Sequence, residues 1–111
     1  MAALFTTSDP TGLLNAFKVA IDSKTVKTWR YDNDGDFSHT ESQFQDKAWF
    51  RPKVEAGKLS FYIIKAKTQN ITPFVYAYYH GHIIETFLYH FDKSFSLSTA
   101  TAMPVPGDIV Q

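Results

Sequence analysis

The segment from residue 47 to residue 67 constrains the fold of this chain more than any other part of its sequence. Two runs rich in β-branched and aromatic residues, Lys47–Val54 and Lys58–Lys67, flank the pair Ala56-Gly57. Runs of this composition on either side of a glycine-containing turn are typical of a β-hairpin. The segment therefore predicts two adjacent antiparallel strands.

The hydrophobic pattern also predicts the register of this hairpin. Side chains alternate between the two faces of a strand, so a slip of one residue would move every apolar side chain to the other face. A two-residue turn at Ala56-Gly57 gives one face that is apolar except at its far end. On that face we expect the pairs Val54 with Leu59, Pro52 with Phe61, Phe50 with Ile63 and Ala48 with Lys65.

The opposite face of the predicted hairpin combines aromatic rings with cations and is the candidate binding site. Such a surface suits stacked nucleobases or another anionic ligand, since base–aromatic stacking contributes about 1–3 kcal/mol per base. A helix covering this face would instead make its aromatic residues part of the core, with the cations at the edge. The candidate binding residues are Lys47, Trp49, Arg51, Lys53 and Tyr62.

Helical and strand patterns flank the hairpin on both sides. Apolar residues recur every three or four positions over 10–22 and 74–91, which predicts two helices. Strands are predicted at 26–31, 37–41 and 94–103 from β-branched, aromatic or alternating residues. We therefore expect an α+β fold in which two helices pack on an antiparallel sheet of four to five strands, in the order α-β-β-β-β-α-β.

The remaining segments are expected to be turns and loose ends. Asp34-Gly35 predicts a tight type I′ turn between two strands, because both central residues of that turn need a positive φ. One domain is expected to span 1–111, with 1–7 and 104–111 as loose termini.

Composition excludes several classes of protein. The chain has no cysteine, which excludes disulfides, thiolate nucleophiles and cysteine-ligated zinc. Its eleven basic and eleven acidic residues balance, which argues against a surface built as a whole for nucleic acid. Neither a signal peptide nor a run of about 18 apolar residues is apparent, so we expect a cytoplasmic protein without a membrane partner.

Three histidines and a glutamate in the second predicted helix are the weak candidates for a metal site. A helical zinc motif places two histidines four residues apart with a glutamate between them, and this spacing differs. On a helix, His82 and Glu85 form the closest pair. The spacing favours histidines satisfied within the fold, and we expect neither a metal nor another cofactor. The four weak candidates are His80, His82, Glu85 and His90.

The sequence shows no complete catalytic set. It has no Gly-x-Ser-x-Gly motif, and its five glycines are scattered singly, so it has no phosphate-binding loop. We therefore expect a small non-catalytic interaction module that recognises a protein partner or associates with its own copy, a role that its many aromatic residues suit. Two alternatives stay open. One is binding of single-stranded nucleic acid or another anionic ligand through the basic and aromatic strand face, and the other is a metal-dependent enzyme built on the histidines.

Overall fold

A computed structural model describes residues 1–111 and contains two helices and six strands. The helices are α1 (Pro10–Asp22) and α2 (Pro73–Phe91), and a proline begins each of them. Asp9 caps α1, since its carboxylate accepts a hydrogen bond from the Gly12 N–H at 3.0 Å. The strands are β1 (Ala2–Thr6), β2 (Trp29–Tyr31), β3 (Phe37–His39), β4 (Ala48–Glu55), β5 (Lys58–Lys65) and β6 (Leu97–Ala100).

The six strands form one antiparallel sheet in the order β2-β3-β4-β5-β1-β6. This arrangement confirms the predicted α+β class, with two helices and an antiparallel sheet. The sheet has six strands rather than four to five, because β1 adds a strand before α1. The full element order is therefore β-α-β-β-β-β-α-β.

Residues 2–6, which were expected to belong to a loose terminus, form β1 between β5 and β6. Ala3 lies opposite Phe61 and Phe5 lies opposite Leu59. Both β1 residues are fully buried. A segment of five residues is too short for periodicity to distinguish a strand from a tail. This segment becomes a strand because it pairs with β5 and β6, which are distant in the sequence.

The hairpin of β4 and β5 has the predicted register. Gly57 has a φ of 78° in the turn, a left-handed conformation that glycine adopts without steric cost. The pairs Val54 with Leu59, Pro52 with Phe61, Phe50 with Ile63 and Ala48 with Lys65 are all present.

Pro52 lies where β4 has an open edge. β3 pairs with β4 only between Phe37 and Phe50, so β4 has no neighbour on that side beyond Phe50. Proline has no N–H to donate, and sheets tolerate it where no partner strand needs one. The short β3 therefore explains why a proline fits inside the best-defined strand.

Both helices pack on the same face of the sheet, which we call the helix face. Phe17 of α1 stacks on Phe37 with ring centroids 4.7 Å apart, and Phe87 of α2 stacks on Phe5 at 4.3 Å. Phe61 of β5 contacts both helix rings, at 6.1 and 5.7 Å. These five rings are fully buried. No helix lies on the other side of the sheet, which we call the open face.

Residues 104–111, also expected to be loose, are held against the sheet. Beyond the end of β1, Ile109 continues the edge of β5. Its N–H donates to the Ile63 carbonyl at 2.9 Å, and its carbonyl accepts from the Lys65 N–H at 2.7 Å. The Asp108 carboxylate accepts a hydrogen bond from the Ile63 N–H at 3.0 Å. Backbone groups and one aspartate hold this segment, so no hydrophobic periodicity could have predicted it.

The connection between β2 and β3 is a loop rather than the predicted type I′ turn. In the predicted pair Asp34-Gly35, only Gly35 has a positive φ, of 81°. The Asp32 carboxylate accepts hydrogen bonds from the N–H groups of Asp34 and Asp36, at 2.9 and 3.0 Å. The aspartate side chain thus organises a longer connection and leaves β2 and β3 with three residues each.

Candidate functional site

The open face carries the basic and aromatic residues of the predicted hairpin. Trp49, Arg51 and Lys53 alternate along β4, and Tyr62 of β5 lies opposite Arg51. The Arg51 and Lys53 side chains are 51% and 64% exposed, whereas Trp49 and Tyr62 are half-buried. Because both helices lie on the helix face, the alternative in which a helix covers these residues is wrong.

The Trp49 ring lies under a guanidinium group. The Arg30 Cζ atom is 5.0 Å from the centroid of the indole, and Arg30 also forms an ion pair with Asp46. Cation–π contacts at exposed sites contribute about 0.5–1 kcal/mol. The main effect of this contact is therefore to hold the indole in one position on the open face.

Arg51 forms a bidentate ion pair with Asp36. Its Nε and Nη2 atoms donate to the two carboxylate oxygens, each at 3.1 Å. These hydrogen bonds raise the pKa of Arg51. The Asp36 side chain is only 9% exposed, so a nearly buried anion anchors the guanidinium. Arg51 therefore presents a fixed, charged plane to solvent.

Glu55 organises the end of the open face near the hairpin turn. Its carboxylate accepts a 2.7 Å hydrogen bond from the Ser60 hydroxyl and lies 3.9 Å from the ammonium groups of Lys53 and Lys58. The Ser60 hydrogen bond and the two ammonium groups lower the pKa of Glu55. The two lysines are therefore partly neutralised by one ionised acid.

A cleft of about 410 Å³ opens on this face between β4, β5 and the C-terminal segment, and we call it the open-face cleft. Gly107 lies directly against the Tyr62 ring. A Cβ atom at Gly107 would be 2.7 Å from the Tyr62 Cδ1 atom, and the φ of Gly107 is 109°. Only glycine fits this position. The cleft is lined by Arg51, Pro52, Lys53, Tyr62, Pro106 and Gly107.

Three of the five candidate binding residues, Arg51, Lys53 and Tyr62, meet in the open-face cleft. Trp49 lies outside it, and Lys47 precedes β4 and forms no ion pair. The C-terminal contribution was missed because that segment was expected to be loose, although a Pro-Gly pair is itself a turn signal. The residues of this surface that were missed are Arg30, Asp36, Pro106 and Gly107.

The four weak metal candidates do not converge on one point. His80 is buried, and its Nδ1 atom is 2.6 Å from the Tyr76 carbonyl. Burial lowers the pKa of His80. His82 and Glu85 form the expected pair, with Nδ1 3.0 Å from Oε1, whereas His90 lies further along α2. No group of three or more His, Asp or Glu side chains is placed to hold a metal ion.

Two side chains that are distant in the sequence contact His82, and neither contact was predicted from the sequence. The Thr28 Oγ1 atom is 2.8 Å from His82 Nε2, and the His39 ring centroid is 4.8 Å from that of His82. His39 is fully buried, and its Nδ1 atom accepts a hydrogen bond from the Glu41 N–H at 2.9 Å. Burial, with His82 as the second cause, lowers the pKa of His39 to about 4. His39 is therefore neutral at pH 7.

The largest cavity lies away from both groups of residues. It measures about 740 Å³ and separates the start of α1 from the segment that follows α2. Its charged lining residues are Asp9 and Lys93. The Asp9 carboxylate is already engaged as the cap of α1. Size alone therefore does not make this cavity a candidate site.

Comparison of the chain with protein-family models, with curated proteins and with solved structures finds no match. Neither α1 nor α2 has the length and hydropathy of a membrane-spanning helix. The fold defines a small single α+β domain. Its two candidate functional regions are the open face and the surroundings of His82.

Proposed function

We propose that the chain is an interaction module that binds a protein partner through the open face. One observation carries this proposal: both helices pack on the helix face, so no helix covers Trp49, Arg51 and Tyr62. Tryptophan, tyrosine and arginine are the residue types that contribute most to binding at protein interfaces. The open-face cleft, of about 410 Å³, offers a place for one side chain of the partner.

The pairing of the cations favours a protein partner over a nucleic acid. Binding to a phosphate backbone depends on free cations that neutralise phosphates and release counterions. On the open face, Arg30, Arg51, Lys53 and Lys58 already lie within ion-pair distance of carboxylates. A guanidinium held by a carboxylate instead presents a rigid plane, which suits a protein interface.

The chemistry of the surface also indicates what the partner presents. Lys47, which continues the alternation of Trp49 and Arg51, forms no ion pair, so the open face keeps an unpaired positive charge at the end away from the hairpin turn. We expect an acidic residue on the partner opposite this lysine. We also expect an apolar or aromatic partner side chain in the cleft, where it would contact Tyr62 and Pro106.

Site-specific photo-crosslinking tests the proposal. The photoreactive residue p-benzoylphenylalanine replaces Lys53 on the open face in one variant, and Tyr89 of α2, which is 82% exposed, in the control. Each protein is irradiated in an extract of its native cells. We expect a discrete protein adduct at position 53 and none at position 89.

The nature of the adduct decides between partners. An adduct of twice the chain mass would identify the partner as a second copy, and an adduct with an oligonucleotide would support the alternative function instead. Equal yields at both positions, or no adduct at position 53, would contradict the proposal. With the purified partner, Arg51→Ala and Tyr62→Ala should each weaken binding about tenfold or more. Lys93→Ala, away from the open face, should leave binding unchanged.

A further inference from the structure

Thr28, His82 and Glu85 form a continuous chain of hydrogen-bonding side chains on the helix-face side of the molecule. The Thr28 Oγ1 atom is 2.8 Å from His82 Nε2, and the Glu85 Oε1 atom is 3.0 Å from His82 Nδ1. The threonine precedes β2, and the other two residues lie about one turn apart on α2. A hydroxyl and a carboxylate therefore engage opposite nitrogens of one imidazole.

The carboxylate fixes the direction of both hydrogen bonds. An ionised glutamate can only accept hydrogen bonds, so the proton of a neutral His82 ring is on Nδ1. The Nε2 atom is then an acceptor, and the Thr28 hydroxyl donates to it. The same arrangement activates hydroxyl nucleophiles in enzymes: a base accepts a hydrogen bond from the hydroxyl, and a third group orients the base.

Two aromatic rings hold the His82 imidazole in place. The Trp29 ring stacks on the imidazole at an interplanar angle of 19°, with the two centroids 5.5 Å apart. The Tyr78 ring also stacks on it, at 17° and 5.6 Å. The faces of aromatic rings attract cations, so both rings stabilise the imidazolium that forms when His82 takes up a proton. The neighbouring His39 is neutral at pH 7, because its pKa is lowered to about 4, and it adds no opposing charge.

Thr28 and His82 line a cleft of about 450 Å³ between α2 and the segment before β2. Thr28 is exposed, so a molecule in this cleft has access to its hydroxyl. Lys27 and Tyr89, both exposed, also line the cleft and supply a cation and an aromatic face. The nucleophile, the base and a positively charged group thus share one solvent-accessible space.

We propose that Thr28, His82 and Glu85 form an acyl-transfer site that cleaves small carboxylic esters. The Thr28 Oγ atom attacks the carbonyl carbon, and its proton passes to His82 Nε2. The bond from this carbon to the alcohol oxygen then breaks as His82 returns the proton to the departing alkoxide. Thr28 and His82 are the catalytic residues, and Glu85 is a positioning residue.

Water completes the reaction. A water molecule attacks the carbonyl carbon of the threonyl ester and gives one proton to His82 Nε2. The bond between Thr28 Oγ and that carbon breaks, and His82 returns the proton to the threonine oxygen. The products are a carboxylic acid and the alcohol, and the three side chains return to their starting state.

The lining of the cleft indicates which esters react best. The Lys27 ammonium group supplies positive charge for the oxyanion of the tetrahedral intermediate. The Tyr89 ring offers a stacking surface for an aromatic alcohol. Aryl esters of short acids should therefore react faster than alkyl esters of the same acids. This site is separate from the partner-binding surface, since it lies on the opposite side of the sheet from the open face.

Hydrolysis of p-nitrophenyl acetate by the intact chain tests the proposal. We expect one acetyl group on Thr28, detected by peptide mass spectrometry, and steady release of nitrophenolate. Thr28→Val keeps the side-chain shape without the hydroxyl and should lower the rate about 100-fold or more. Thr28→Ser should retain activity. Thr68→Val is the matched control, because Thr68 is an exposed threonine in the loop before α2 and does not line this cleft, and its rate should be unchanged.

The positioning role of Glu85 has its own readout. Glu85→Ala should lower kcat with little change in KM, and Glu85→Gln should restore part of kcat because its amide oxygen still accepts from Nδ1. Circular dichroism verifies that each variant is folded. An unchanged rate in folded Thr28→Val would overturn the proposal, as would acetylation confined to lysines or histidines.

Discussion

At the scale of single residues, His39 carries a neutral imidazole in a site from which water is excluded. The side chain is fully buried, and its Nε2 atom has no hydrogen-bond partner. Since Nδ1 accepts from the Glu41 N–H, the single proton of the neutral ring is on Nε2. A positive charge here would be poorly solvated, which is the main reason that the pKa of His39 is lowered to about 4.

The lowered pKa predicts a loss of stability at acidic pH. The ordinary pKa is 6.5, so between pH 6.5 and about pH 4 the unfolded chain binds a proton that the folded protein excludes. The contribution of His39 to the free energy of unfolding is therefore complete above pH 6.5. It falls as the pH drops through this window, by about 3 kcal/mol in all. Urea denaturation between pH 7 and pH 4 measures the loss.

His39→Asn isolates this contribution from that of the carboxylates. Its amide oxygen takes the place of Nδ1 as acceptor, and the side chain does not titrate. The variant should lose less free energy of unfolding than the parent between pH 7 and pH 4. Parallel pH profiles for the two proteins would show that His39 is not the cause.

Some residues of the candidate sites could be predicted from the sequence, and others could not. Arg51, Lys53 and Tyr62 were predicted to share a surface because strand alternation and the hairpin register place them there. The contact between Thr28 and His82 joins residues 54 positions apart. No local period relates two such residues, and only the packing of α2 against the segment before β2 brings them together.

At the scale of elements, the two helical glycines have opposite surroundings. A Cβ atom at Gly81, in the middle of α2, would meet nothing within 4 Å, so no close approach requires glycine there. Alanine is favoured over glycine inside a helix by about 1 kcal/mol, and Gly81→Ala should raise the free energy of unfolding by about that amount. Urea denaturation at neutral pH provides the measurement.

Gly12→Ala is the matched control in α1. A Cβ atom at Gly12 would lie 2.1 Å from the Asp9 Oδ2 atom, so alanine displaces the carboxylate that caps the helix. Loss of a capping side chain costs about 1 kcal/mol, which offsets the gain in helix propensity. This variant should be no more stable than the parent. Equal stabilisation by both substitutions would contradict the described cap.

Long, strongly patterned elements were predicted well, and short ones were not. The sequence predicted α1 at its observed bounds and α2 to within one residue, because apolar spacing extends over several turns of each helix. The hairpin of β4 and β5 was predicted in register because it has two distinct faces. β1 was missed because long-range burial, rather than any local preference, orders its five residues.

At the scale of the whole molecule, the equal numbers of basic and acidic residues disfavour a polyanionic ligand. We expect that single-stranded oligodeoxythymidine leaves the tryptophan fluorescence unchanged at low salt. Trp49 is the indole that would report stacking, since Trp29 is buried. Quenching that is lost in Trp49→Phe and weakens as salt is added would instead favour nucleic-acid binding.

The position of β1 between β5 and β6 has a consequence for biosynthesis. β1 precedes every other strand of the sheet in the chain, yet Ala3 lies opposite both Phe61 and Ala100. The nascent β1 has no partner until β5 is translated, and its second edge stays unpaired until β6 leaves the ribosomal exit tunnel. Contacts of such sequence separation form slowly. The sheet is therefore completed only when β6 is available to pair, and the emerging β1 segment is an apolar target for chaperones until then.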